Sequence, residues 1–235
     1  MTVSETGNPT YGRITSGIEP GTVVRKTLEF VQQQLPAWRD LPERQPTEAE
    51  ADLNSQLCKF LNAAAWQENF SMAHFHHEER QTGQRRVDLS ALPLPQSTLI
   101  EGRTYSVLEP FLVLEGKRLP APRRKREREY VIGSDTVSGG IQRFKLGLHG
   151  AKLLYAGMIG YVQRKSCREW FEPINRWIDE LAASNDPLWS GADSLMNMAV
   201  DAETRTLRCE SKHARIDSVS SQIHLTHLWV GMYGA

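Results

Sequence analysis

The chain has 235 residues, with 28 Lys and Arg against 28 Asp and Glu, so its formal net charge is zero. That length is enough for one sizeable core, and the charge balance excludes a protein that coats nucleic acid by bulk electrostatics, though not a local basic patch. No run approaches the roughly 20 apolar residues of a membrane span, the polar stretch Met1–Ser16 lacks an apolar leader core, and Cys58, Cys167 and Cys209 form neither a CxxC pair nor a disulfide framework. The expected location is the reducing cytoplasm.

Residues 1–20, rich in Ser, Thr, Gly and Pro, read as poorly ordered. From Gly21 the apolar residues Val24, Leu28, Val31 and Leu35 recur at helical spacing and predict a helix over Gly21–Leu35, closed by Pro36. A polar linker follows, so 1–46 reads as an N-terminal extension and 47–235 as the main domain. Thr47 reads as the N-cap of a second helix, with Glu50 three residues on and an apolar face of Leu53, Leu57, Phe60, Leu61 and Ala64. Alternation over Asn69–Glu79, a turn at Thr82-Gly83 and a return over Arg85–Leu92 predict a hairpin. Thr104–Arg118 reads as a buried strand pair or as one strand broken at Pro110. Then comes a basic run, Lys117 to Arg128. Asp135 or Ser138 would cap a helix over Gly140–Leu148, ended by Gly150, and Leu153–Val162 would be a central strand. Ser166–Ala182 is amphipathic, with Trp170, Ile174, Trp177, Ile178 and Leu181 on one face. Thr206–Ile216 and Gln222–Val230 alternate as a closing hairpin. This order predicts an α/β domain built on a mixed central sheet flanked by helices.

The chemistry concentrates in Phe111–Lys117, where four apolar residues run into Glu115-Gly116-Lys117. Strand alternation puts Glu115 and Lys117 on one face, about 7 Å apart. Two such charges at the end of a buried strand are costly unless paired or employed. Asp88 offers a second carboxylate on a neighbouring predicted strand, with Glu101 and Glu109 as rivals. Two carboxylates suit Mg²⁺, with Mn²⁺ as a substitute, because such ions take hard oxygen ligands and keep positions for water and substrate phosphate. The metal would polarise a phosphate and acidify a bound water. Lys117 would orient that water and stabilise developing charge.

Asp88 followed by Glu115-Gly116-Lys117 resembles the PD-(D/E)XK nuclease superfamily, over roughly Thr47–Tyr161 and with Val87 in place of the proline. The resemblance implies a restriction-endonuclease-like fold. It implies a first helix presenting an acid, here Glu50, and a helix after the metal strand that carries Gln142 near the site. It also implies Mg²⁺-dependent endonucleolytic hydrolysis of DNA in a prokaryotic defence or repair setting. The neutral net charge and the basic loop suggest capture through a protein partner or local contacts, and cutting both strands of a duplex would favour a homodimer. Glu50 has a second reading, as the N3 partner of the Thr47 capping box, and Gln142 as an ordinary exposed helix residue. Arg85, Arg86, Arg118, Arg123, Arg124, Lys125 and Arg126 would grip phosphates. Two readings compete. One is a catalytically silent, nucleic-acid-binding or structural subunit of the same fold in a larger complex. The other is a zinc module built from His74, His76 and His77 or from His213, His224 and His227. No GxSxG, Cys–His arrangement or GxxxxGK[ST] loop supports serine, cysteine or nucleotide chemistry.

Overall fold

The computed structural model describes residues 21–81, 85–94, 97–134, 136–184, 186–216 and 218–233. Residues 1–20, the Thr82-Gly83 turn and the Asp135 cap of the sequence reading lie outside them. Among the described residues the main sheet has the order β1-β2-β5-β6-β9-β8-β7. Its strands are β1 (Ala73–Arg80), β2 (Arg86–Pro93), β5 (Leu112–Leu119), β6 (Tyr155–Val162), β7 (Met196–Asp201), β8 (Thr206–Ala214) and β9 (Gln222–Gly231), while β3 (Ser97–Ile100) and β4 (Arg103–Ser106) form a separate ribbon. β5, β6 and β9 run parallel and the outer pairs antiparallel, so the sheet is mixed, as expected.

The predicted central strand is β6. It is buried at every position, as a strand covered on both faces must be. Its glycines let neighbouring side chains lie across it: a Cβ on Gly160 would come within 2.4 Å of the Trp229 ring. Helices α1 (Thr22–Arg39) and α2 (Glu50–Gln67) cover the face bearing Gly157 and Tyr161, whereas α3 (Gly140–Lys145) meets Met158 on the face that carries Glu115 and Lys117. Helix α4 (Cys167–Ala183) packs against β8 and β9, and the Ser166 hydroxyl accepts the Glu169 N–H as its N-cap. No helix among the described residues is long and apolar enough to cross a membrane.

Four local expectations need correction. Pro36 does not end α1, which continues to Arg39. The ring forgoes one backbone bond, but Trp38 is buried in the core and Arg39 donates to the Thr204 carbonyl at 2.6 Å, so tertiary contacts hold the last turn. Thr47 is not an N-cap: α2 starts after Ala49, and the Thr47 hydroxyl accepts the Ala49 N–H and donates to Asp52. The stretch Thr104–Arg118 divides between two sheets, because Glu101 and Gly102, at φ 51° and 73°, turn β3 tightly onto β4. α3 follows Gly139 rather than a capping side chain and stops at Lys145, ahead of a left-handed Gly147.

Candidate active site

β2 and β5 pair antiparallel with Leu89 opposite Leu114, so the next step along each strand sets Asp88 beside the Glu115 segment. The Gly116 N–H donates to Asp88 Oδ2 at 2.7 Å. Glu115 is fully buried and surrounded by basic groups. Lys117 Nζ lies 3.0 Å from Oε1, Arg143 Nη1 donates to the same oxygen at 2.7 Å, and His149 Nδ1 lies 3.0 Å from Oε2. Lys117 also donates to Glu50 Oε1 at 2.8 Å, and Glu50 Oε2 accepts the Arg118 backbone N–H. Glu50 therefore serves the strand, not a capping box.

Helix α2 reaches β5 because residue 116 is a glycine. A Cβ there would sit 2.1 Å from Asn54 Oδ1, the oxygen that accepts the Tyr161 hydroxyl at 2.7 Å. Asn54 thus docks on the strand, and Glu50, one turn earlier, meets Lys117.

The electrostatics separate the two carboxylates. Burial and the neighbouring Glu115 charge push Asp88 up to about 8, against the opposing pull of Lys117. For Glu115, burial acts upward, but Lys117, His149 and Arg143 override it and hold the carboxyl well below its usual range. Burial likewise disfavours the Lys117 ammonium, yet Glu115, Glu50 and Asp88 together keep its pKa above the ordinary value. Lys117 is a permanent cation here, a donor rather than a base.

The residues present fit a divalent ion in one respect. Asp88 is a half-buried carboxylate that makes no ion pair among the described residues, and the buried Glu115 Oε2, 3.0 Å from His149 Nδ1, makes no hydrogen bond of good geometry among them. No three His, Cys, Asp or Glu side chains converge as a metal cluster among the described residues. Asp88 and Glu115 would have to suffice, leaving the remaining positions to water and phosphate, as Mg²⁺ tolerates.

Gln142 is turned elsewhere: its side-chain oxygen accepts N–H groups of Gly133 and Gly139. The residue of α3 that reaches Glu115 is Arg143, which the sequence reading passed over, as it did His149. Of the expected phosphate contacts, Arg86 pairs with Glu78, Arg118 with Gln163 and Glu48, and Arg126 with Glu129. Arg85, Arg123, Arg124 and Lys125 are exposed without an ion pair among the described residues. After the carboxyl end of β6, Arg164 and Arg168 are similarly exposed and unpaired, and Lys165 lies over the Trp170 ring. The zinc alternative meets a physical obstacle, because His213 and His227 spend both ring nitrogens on hydrogen bonds in the core. His74 and His76 contact each other edge to face on the outer strand β1.

Comparison with family models, with curated proteins and with solved structures finds no match.

Proposed function

We propose that this chain is a divalent-metal-dependent nuclease that hydrolyses DNA phosphodiester bonds on a restriction-endonuclease-like core. One observation carries the reading: Asp88, raised to about 8 and without an ion pair among the described residues, stands beside a buried Glu115 whose neighbour Lys117 is held charged. Asp88 holds its proton up to about pH 8 because burial and the Glu115 charge outweigh the pull of Lys117, and a bound cation would take that proton's place. The element order α2, β1, β2, β5, α3, β6, with three antiparallel strands followed by a parallel one, supports the same reading, since it is the order the resemblance implies.

Asp88 and Glu115 would hold Mg²⁺ or Mn²⁺, which when bound supplies Lewis-acid polarisation and an acidified water. Glu50 and Glu115 fix the Lys117 ammonium, which donates to the attacking water or to the phosphoryl oxygens as charge builds there. Arg123, Arg124, Lys125, Arg164 and Arg168 follow the carboxyl ends of β5 and β6, where open α/β sheets present their ligands, and would take the phosphate backbone. Zero net charge fits a cytoplasmic enzyme of defence or repair that relies on a partner for capture.

The silent-subunit reading has one observation in its favour, that Lys117 and Arg143 already match the Glu115 charge. Plasmid and linear-duplex cleavage with Mg²⁺ and Mn²⁺ separates the two. Asp88→Asn keeps an acceptor for the Gly116 N–H and should fold normally while losing at least about 100-fold in cleavage rate. A wild-type chain that binds duplex yet leaves it intact with both metals would favour the silent subunit.

A further inference from the structure

Beyond the carboxylates, six side chains form one continuous hydrogen-bonded chain inside the core. Trp229 Nε1 donates to the Tyr130 hydroxyl, which meets His227 Nδ1. His227 Nε2 meets Ser211 Oγ, Ser211 Oγ meets His213 Nε2, and His213 Nδ1 meets Asp193 Oδ1, each at 2.7 Å. None of the six is more than 3% exposed.

The chemistry of the ends assigns every proton. An indole only donates, so the Tyr130 oxygen accepts from Trp229 and sends its own proton to His227 Nδ1. His227 must then carry hydrogen on Nε2 and donate to Ser211. Ser211 donates to His213 Nε2, and His213 keeps its proton on Nδ1 for Asp193. Both rings are neutral and all donors point toward one carboxylate. Asp193, Ser211 and His213 stand in the order of a nucleophile triad, but the buried Oγ already receives the His227 N–H.

Lys145 of α3 donates to the same Asp193 oxygen. Two residues earlier on that helix, Arg143 donates to Glu115. We infer that this chain is a proton-specified clasp, that Lys145 is the positioning residue by which it holds Arg143 on Glu115, and that a second proton on either ring opens it. Only the consequence for catalysis rests on the nuclease reading. A further proton on His213 would reverse the donors as far as Tyr130, leaving its hydroxyl proton without an acceptor in the core. The charged and titratable groups facing the rings are Asp193 from the turn Gly191–Asp193, Lys145 from α3, Cys209 of β8, His224 of β9 and Tyr130. Burial holds both rings below their ordinary value. Asp193 draws His213 upward while Lys145 and His224 oppose it, and His213 further lowers His227.

Long-range proton–nitrogen spectra of the full chain test the clasp directly. Near neutral pH His227 should be protonated on Nε2 alone and His213 on Nδ1 alone. Urea unfolding of Asp88→Asn, which lacks the proton that Asp88 releases on unfolding, should take up protons well below the unfolded histidine value of about 6.5. Among them is one for each of these two rings, which together raise the unfolding constant by up to about 100-fold per pH unit there. Lys145→Met should let His213 titrate at higher pH and abolish the slowed exchange of the Arg143 guanidinium protons, with Lys145→Arg restoring it. The opposite tautomers, a ring titrating near 6.5 in the folded chain, or Arg143 protons indifferent to Lys145→Met would each overturn the inference. Should Lys145→Met not fold, the wild-type tautomers still decide. None of these readouts involves DNA cleavage, so the clasp and the nuclease reading fail separately.

Discussion

Asp88 and Glu115 are adjacent carboxylates with opposite electrostatic fates. Glu115 is surrounded by Lys117, Arg143 and His149, whereas Asp88 accepts the Gly116 N–H and makes no ion pair among the described residues. Its raised pKa sets a sign. Folded Asp88 holds a proton that the unfolded chain releases near 4, so between that value and about 8 the metal-free fold loses stability as pH rises. A cation must displace that proton. Mg²⁺ affinity should therefore rise up to about tenfold per pH unit toward 8 and level off above it, with close to one proton released per ion below 8. Calorimetry in buffers of different ionisation enthalpy measures both quantities. Affinity independent of pH between 6 and 8 would remove Asp88 from the ligand set.

At the level of elements, the site depends on how closely α2 approaches β5. Gly116 is the reason, since Asn54 fills the space a side chain would need. Gly116→Ala should push α2 outward, separate Glu50 from Lys117 and cost about 1–3 kcal/mol by overpacking. Urea denaturation of Gly116→Ala, Asn54→Ala and the double variant measures the coupling. If the clash is the cause, the second substitution relieves part of the first, and purely additive losses would place the defect elsewhere. Helix α3 is the counterpart on the other face. Its short length leaves it little stability of its own, and it is held by Arg143 on Glu115 and Lys145 on Asp193.

Across the whole molecule, zero net charge conceals an asymmetry. Exposed cations without an ion pair among the described residues flank the carboxyl ends of β5 and β6, on 123–125 and on 164–168. Arg86 and Arg118, by contrast, already have acidic partners. If 164–168 contacts backbone phosphates, replacing Arg164 and Arg168 together by Gln should lower the slope of log affinity against log salt by about 2, each phosphate contributing roughly 0.9. Fluorescence anisotropy on a duplex in EDTA gives that slope without cleavage. An unchanged slope would confine the interface to the 123–125 loop.

What the sequence determined by itself was whatever short-range geometry controls. Period-two alternation put Glu115 and Lys117 on one face, the apolar run marked β6 as the middle strand, and 3.6-residue spacing found the buried face of α4 around Trp170, Ile174 and Ile178. Tertiary structure decided the rest. Both readings of Glu50 were locally sound, and only the approach of α2 to Lys117 chose between them. Gln142 and Arg143 are adjacent on a helix, about 100° apart in direction, so the helix's rotation against the sheet, set by packing on Met158, determined which one meets Glu115. The chain from Trp229 to Asp193 joins residues up to 99 positions apart. Such contacts leave no period in the sequence, because they are made by the fold rather than by neighbouring dihedrals.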